Sequence, residues 1–250
     1  MQVISGAGFT AAPVNGLGNL IIGYNASFEG LEFCSDPSYD NQVTCEDFNE
    51  IWDANVHTGS HNIILGEGHS YTGYGAMVSG YTNVSNGNYA SVLGGAENIA
   101  SGHSSSISGG IRNNVSGHAS SINGGSDNTA SGNSSSVSGG NNNAASQWNS
   151  SVNGGQNNTA SEVYSSVSGG EGNTASGAWS SVTGGRSNVA FGIQASVNGG
   201  FSNNATERAS SISGGRLNST TAWHTTVSGG VGRVADAADE WVAGSLSEEN

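Results

Sequence analysis

The chain has 250 residues, among them 41 Gly, only 2 Pro and 5 Arg with no Lys, and its net charge is −14. That balance excludes a nucleic-acid binder, because nothing neutralises a run of phosphates, and it equally excludes attraction to an anionic membrane surface. No apolar run approaches the roughly 20 residues that span a bilayer, and the opening "QVISGAGF" reads as no signal peptide, with neither a basic stretch nor a long apolar one.

In chain order, "GNLIIGYN" (18–25) is echoed by "HNIILGEG" (61–68). The echo predicts a capping coil interrupted by an acidic insertion over roughly residues 24–58, so that residues 1–58 form an N-terminal cap. Residues 61–80 read as a degraded repeat that ends in Val-Ser-Gly, with Gly66 and Gly80 fourteen apart. From residue 81 the pattern is strict. Residues 81–230 divide into ten consecutive units of fifteen without insertion or deletion, each close to x-x-N-x-A-S-G-x-x-S-S-V-S-G-G.

Asn holds the third place throughout: Asn83, Asn98, Asn113, Asn128, Asn143, Asn158, Asn173, Asn188, Asn203 and Asn218. The twelfth place is always β-branched: Val92, Ile107, Ile122, Val137, Val152, Val167, Val182, Val197, Ile212 and Val227. A flexible Gly/Ser tether keeps composition but not register, so the spacing is a structural period. It is too short for helical repeats of about 33–47 residues. Fifteen residues accommodate two short strands and two tight turns, one coil of an all-β parallel β-solenoid. Alternation places the twelfth residue inside and its Ser or Asn neighbours outside. At the fifth place the inward residue is Ala, as at Ala100, Ala130, Ala145, Ala160, Ala175, Ala190 and Ala205. With coils stacked at about 4.8 Å, the Asn column is expected to hydrogen-bond amide to amide along the axis. The solenoid is expected over residues 59–244, closed by "VADAADEWVAG" (234–244), where Arg233 replaces Asn and acids accumulate. Residues 245–250 form an exit segment.

The motif N-x-A-S-G-x-x-S-S-V-S-G-G resembles the head repeats of trimeric autotransporter adhesins, the YadA-like head. The likeness covers residues 59–244. It implies a left-handed parallel β-roll, three chains packed side by side as a homotrimer on a bacterial cell surface, and extracellular binding of a host matrix protein, a glycan or another cell. Two features depart from that family: the coil is longer, and Gly stands where its "A-I-G" has an aliphatic residue. In a chain of this exported character, two Cys eleven apart predict a Cys34–Cys45 disulfide closing the insertion. Asp36, Asp40, Glu46, Asp47, Glu50 and Asp53 read as a solvated acidic face; they lack the order of a calcium loop.

Catalytic and metal chemistry finds little support. A calcium roll needs an Asp in every nonapeptide, and only Asp127 falls near such a place. His57, His61 and His69 cluster loosely. His103 and His118 share the eighth place of adjacent coils without a third ligand column, which favours a solvated pair over a metal site. No G-x-S-x-G elbow with a placed His and Asp occurs. The expectation is a non-enzymatic protein without cofactor, metal or nucleic-acid partner. The turn at the eighth and ninth places carries His103, His118, Trp148, Tyr164, Trp179, Trp223 and His224, a candidate edge for contact with another chain or a ligand. Two alternatives to an adhesin remain open. One is an ice-binding solenoid using Ser/Asn ranks at the eleventh and thirteenth places, where only Thr183 and Thr226 add a methyl. The other is a phage-type structural fibre.

Overall fold

The computed structural model describes residues 19–22, 33–34, 52–53 and 57–244. Every regular element among them is a strand. The chain divides into two units, residues 1–125 and 126–250, and both are parallel β-solenoids.

In the first unit, Leu20–Ile22 pairs in parallel with Ile63–Glu67, Leu20 opposite Ile63, as the "NLII"/"NIIL" echo predicts. Ile63–Glu67 pairs with Met77–Tyr81, Ile64 opposite Val78, a step of fourteen. Val78 in turn faces Val92, and from Val92 to Ile107 and Ile122 the step is fifteen. A second sheet runs through Ser70–Tyr71, Val84–Ser85, Ile99–Ala100 and Asn114–Val115. The second unit has two sheets of its own, one from Ser136–Val137 to Trp241–Val242 and one from Thr129–Ala130 to Val234–Ala235. A third column was not legible in the repeat. First-place residues bridge singly from coil to coil, as in Asn141 to Gln156 to Glu171. Each coil therefore has three sides rather than two.

The twelfth-place Val and Ile residues are at most 1% exposed and the fifth-place Ala residues are fully buried, as alternation requires. The core holds one more row. Tenth-place Ser105, Ser120, Ser135, Ser150, Ser165, Ser180 and Ser210 are also at most 1% exposed. They lie two residues before the twelfth place, on the same face of the strand. At Ser150 the hydroxyl closes the turn, its Oγ donating to Gln147 O at 2.7 Å and accepting from Gln147 N–H at 3.1 Å, whereas Ser105 Oγ and Ser135 Oγ are buried without a partner. Burial of a satisfied hydroxyl costs little.

The turns also differ from a simple glycine pattern. The second and ninth places hold left-handed backbone on ordinary side chains, including Leu217, Tyr164 and Trp179, all at φ 58°. Such a conformation costs an L-residue roughly 1–2 kcal/mol. It turns these N–H groups back toward the preceding coil: Trp179 N–H donates to Val163 O at 3.0 Å and Leu217 N–H to Phe201 O at 2.9 Å. Amides at the first strand residue and just past the strand point the other way, as in Thr174 N–H to Asn188 O at 2.8 Å and Ser176 N–H to Ala190 O at 2.9 Å. Adjacent coils are thus bonded in both directions.

The disulfide-closed cap is not supported. Among the described residues no disulfide is found, and Cys45 lies outside them. Cys34 belongs to the two-residue strand Phe33–Cys34, antiparallel to Trp52–Asp53, with Cys34 opposite Trp52. Asp36, Asp40, Glu46, Asp47 and Glu50 also lie outside the described residues.

Candidate functional site

The Asn column is a ladder, but its rungs differ from those expected. In the second unit each Oδ1 accepts the backbone N–H of the next Asn: Asn143 on Asn128, Asn158 on Asn143, Asn173 on Asn158 and Asn188 on Asn173, all at 2.9 Å. Asn203 and Asn218 continue the series at 3.0 Å, and Arg233 N–H ends it on Asn218 Oδ1 at 2.9 Å. Each Nδ2 holds two carbonyls, as Asn158 holds Gly154 O and Gly170 O at 2.9 Å. The amide therefore satisfies backbone on both sides of a buried corner. Direct amide-to-amide contact is added in the first unit, from Asn98 to Asn83 and from Asn113 to Asn98, both at 3.1 Å. This column is structural.

The ladder begins on a residue of a different type. His69 is fully buried; its Nδ1 accepts Asn83 N–H at 3.1 Å, and its Nε2 lies 3.2 Å from Leu65 O. Those are the positions of an Asn Oδ1 and Nδ2. Aligned on Val-Ser-Gly, "EGHSYTGYGAMVSG" (67–80) has His at its third place, so the substitution was readable from the repeat. His57 Nε2 lies 2.9 Å from the His69 backbone oxygen, and His61 Nδ1 lies 3.3 Å from Ser60 Oγ. The loose histidine cluster does not converge. Among the described residues, no group of three or more His, Cys, Asp or Glu comes together.

The eighth- and ninth-place residues do form an edge within each unit. In the first, His103 and His118 stack with centroids 5.1 Å apart and planes 4° apart, and Tyr89 meets His103 edge-on at 5.6 Å. Tyr74 extends that column through Tyr89 at 5.0 Å. In the second, Trp148, Tyr164 and Trp179 are 55%, 45% and 57% exposed. Tyr164 stacks on Trp179 at 5.8 Å and 6°, while Trp148 meets Tyr164 at 6.1 Å and 36°. Ile193 at the eighth place, 48% exposed, was missed because only aromatic and imidazole side chains were sought. His103 on His118 and Tyr164 on Trp179 cover one face of each ring, whereas the other pairs are tilted or edge-on. A sugar that packs on a flat aromatic face finds those stacked faces taken. An apolar partner surface finds a row of half-exposed rings.

Trp223 is placed differently. Its Nε1–H donates to Glu207 Oε2 at 3.1 Å, beside a shallow open hollow of about 310 Å³ lined also by Thr221, Ala222 and Ala238. His224 Nδ1 lies 3.4 Å from Asp239 Oδ1.

No protein-family model matches the chain, and no curated protein matches it. Among the described residues, no helix is long and apolar enough to cross a membrane.

Proposed function

We propose that the chain is a non-enzymatic head segment of a bacterial surface adhesin or fibre, a homotrimer of left-handed rolls displayed outside the cell. Its ligand is then a host matrix protein, a glycan or a component of another cell surface. The observation that supports this reading is the row Trp148, Tyr164 and Trp179, neighbours along the coils with about half of each residue in water. Covering the exposed part of one indole removes on the order of 100 Å² of apolar surface from water, about 3 kcal/mol per residue. A trimer multiplies that gain by three and excludes water from the turn backbone. The repeat motif's resemblance to adhesin heads points the same way.

Sedimentation tests the reading. The unmodified protein is expected to be a trimer at micromolar concentration. The double variant Trp148→Ser with Trp179→Ser is expected to shift toward monomer with unchanged far-ultraviolet circular dichroism, since the ladders use neither side chain. A monomeric unmodified protein overturns the trimer, and an intact trimer that captures nothing from an array of matrix proteins and glycans overturns the adhesin. The Cys34–Cys45 bond belongs to the same export reading. Titration of unfolded, non-reduced protein is expected to find no free thiol; two reactive thiols refute the bond.

A further inference from the structure

We infer that His69 makes the N-terminal coils of the first unit an acid-sensitive latch, one that opens while the Asn-built coils beyond them stay closed. The geometry leaves the imidazole one workable proton arrangement. Nδ1 must be bare to accept Asn83 N–H at 3.1 Å. Nε2 must carry the proton, because it faces the carbonyls of Leu65 and Gly80. An imidazolium has two N–H donors and no acceptor. Protonation at Nδ1 would therefore set two donors against each other in a buried site, and Asn83 would lose its partner. An Asn amide in the same place has no such second state, so the other third-place residues described here are insensitive to this range of pH.

The described elements packed around His69 bring no buried carboxylate to the ring. Of the elements packed around His69, Ile63–Glu67 contributes Glu67, which is exposed; Ser70–Tyr71 contributes the buried Tyr71; Met77–Tyr81 contributes the exposed Tyr81; and Val84–Ser85 contributes no titratable group. His57, stacked on Tyr71 at 5.0 Å, repels a second positive charge. Burial, more than His57, holds the His69 pKa below the ordinary 6.5. The sign follows. Below about 6.5 the opened coil binds a proton that the closed coil refuses, so closure weakens as pH falls and is fully present above that value. The effect is local, because nearest-neighbour stacking lets one end of a solenoid open without the rest.

Amide hydrogen exchange reads the latch directly. Between about pH 6.5 and about pH 5, after correction for intrinsic rates, opening of residues 63–71 and 77–83 should increase by up to about 16-fold, since an imidazole of pKa about 6.5 is already half protonated in the opened coil at the start of that window. Amides at 106–107 and 121–122 should not change. His69→Asn, which installs the ladder residue, should abolish the response, and His57→Gln should leave it in place. A flat profile in the unmodified protein, an equal response in His69→Asn, or its loss in His57→Gln would each overturn the latch. If His69→Asn does not fold, the ring nitrogen spectrum of the unmodified protein decides. The latch requires a neutral Nε2–H tautomer that persists below pH 6.5 while the coil is closed, and an imidazolium in the closed coil refutes it.

Discussion

Asn158→Ala is expected to lower stability by about 3–6 kcal/mol, enough to split or unfold the second unit at that coil. The side chain holds three buried backbone groups at once: Asn173 N–H through Oδ1, and the carbonyls of Gly154 and Gly170 through Nδ2, all at 2.9 Å. Each group left unpaired away from water costs roughly 1–3 kcal/mol, with incomplete additivity because all three share one corner. Neighbouring coils cannot relieve the loss, since each contacts only the next, so the damage stays at one interface. Asn158→Asp separates the acceptor from the donor. Its carboxylate still accepts Asn173 N–H, but its second oxygen faces two carbonyl oxygens, which raises its pKa. Stability should then be lost as pH rises through that pKa and partly restored in acid, the reverse of an ordinary carboxylate. Denaturant unfolding of the three proteins, at neutral pH and near pH 4, reads both effects.

The parts of this fold that the repeat made legible are those governed by a period of two and a strict register. The inward Val137 and Ala130, the outward Ser136 and the parallel coil-on-coil pairing follow from alternation alone. The early coils were legible as an echo, because Leu20 and Ile63 keep the same apolar order. What escaped was set by bonding geometry rather than by pattern. Ser150 looks like every other serine, and only its turn bond to Gln147 explains why it is inside. The left-handed backbone at Trp179 and Leu217 has no residue signature, since the hydrogen bonds to the preceding coil impose it on whatever side chain stands there. The Asn column was found, but its partners are backbone groups that a column of identical letters does not display. At the candidate edge, Trp148, Tyr164 and Trp179 were identifiable by position. That Tyr164 and Trp179 stack face to face depends on side-chain torsions, and this stacking shifts the argument from a sugar platform toward a partner chain.

The paired glycines that close each unit should respond oppositely to the same substitution. Gly185→Ala is expected to abolish folding of its coil, whereas Gly184→Ala should leave the stack intact. At Gly185 the backbone has φ +85°, a region that penalises any Cβ. An added methyl there would also fall on the Gly200 carbonyl oxygen, 2.5 Å from Asn188 Nδ2 and 2.8 Å from Gly200 N. The first two are partners in the ladder, Asn188 Nδ2 reaching Gly200 O at 3.0 Å, so the methyl cannot enter without breaking it. Strain of roughly 1–2 kcal/mol from φ adds to the loss of the buried hydrogen bonds, and the sum rivals the stability of a small domain. At Gly184 a Cβ meets nothing within 4 Å. Replacing Gly by Ala there also narrows the unfolded ensemble, worth up to about 1 kcal/mol in favour of folding where the conformation permits. Thermal unfolding should therefore show a large fall for Gly185→Ala and little change or a small rise for Gly184→Ala. If the trimer packs chains across the fourteenth-place row, Gly184→Ala will instead leave the monomer's unfolding unchanged while weakening sedimentation as a trimer. Equal thermal losses from the two substitutions would show that the fifteenth-place corner is not what holds the coils in register.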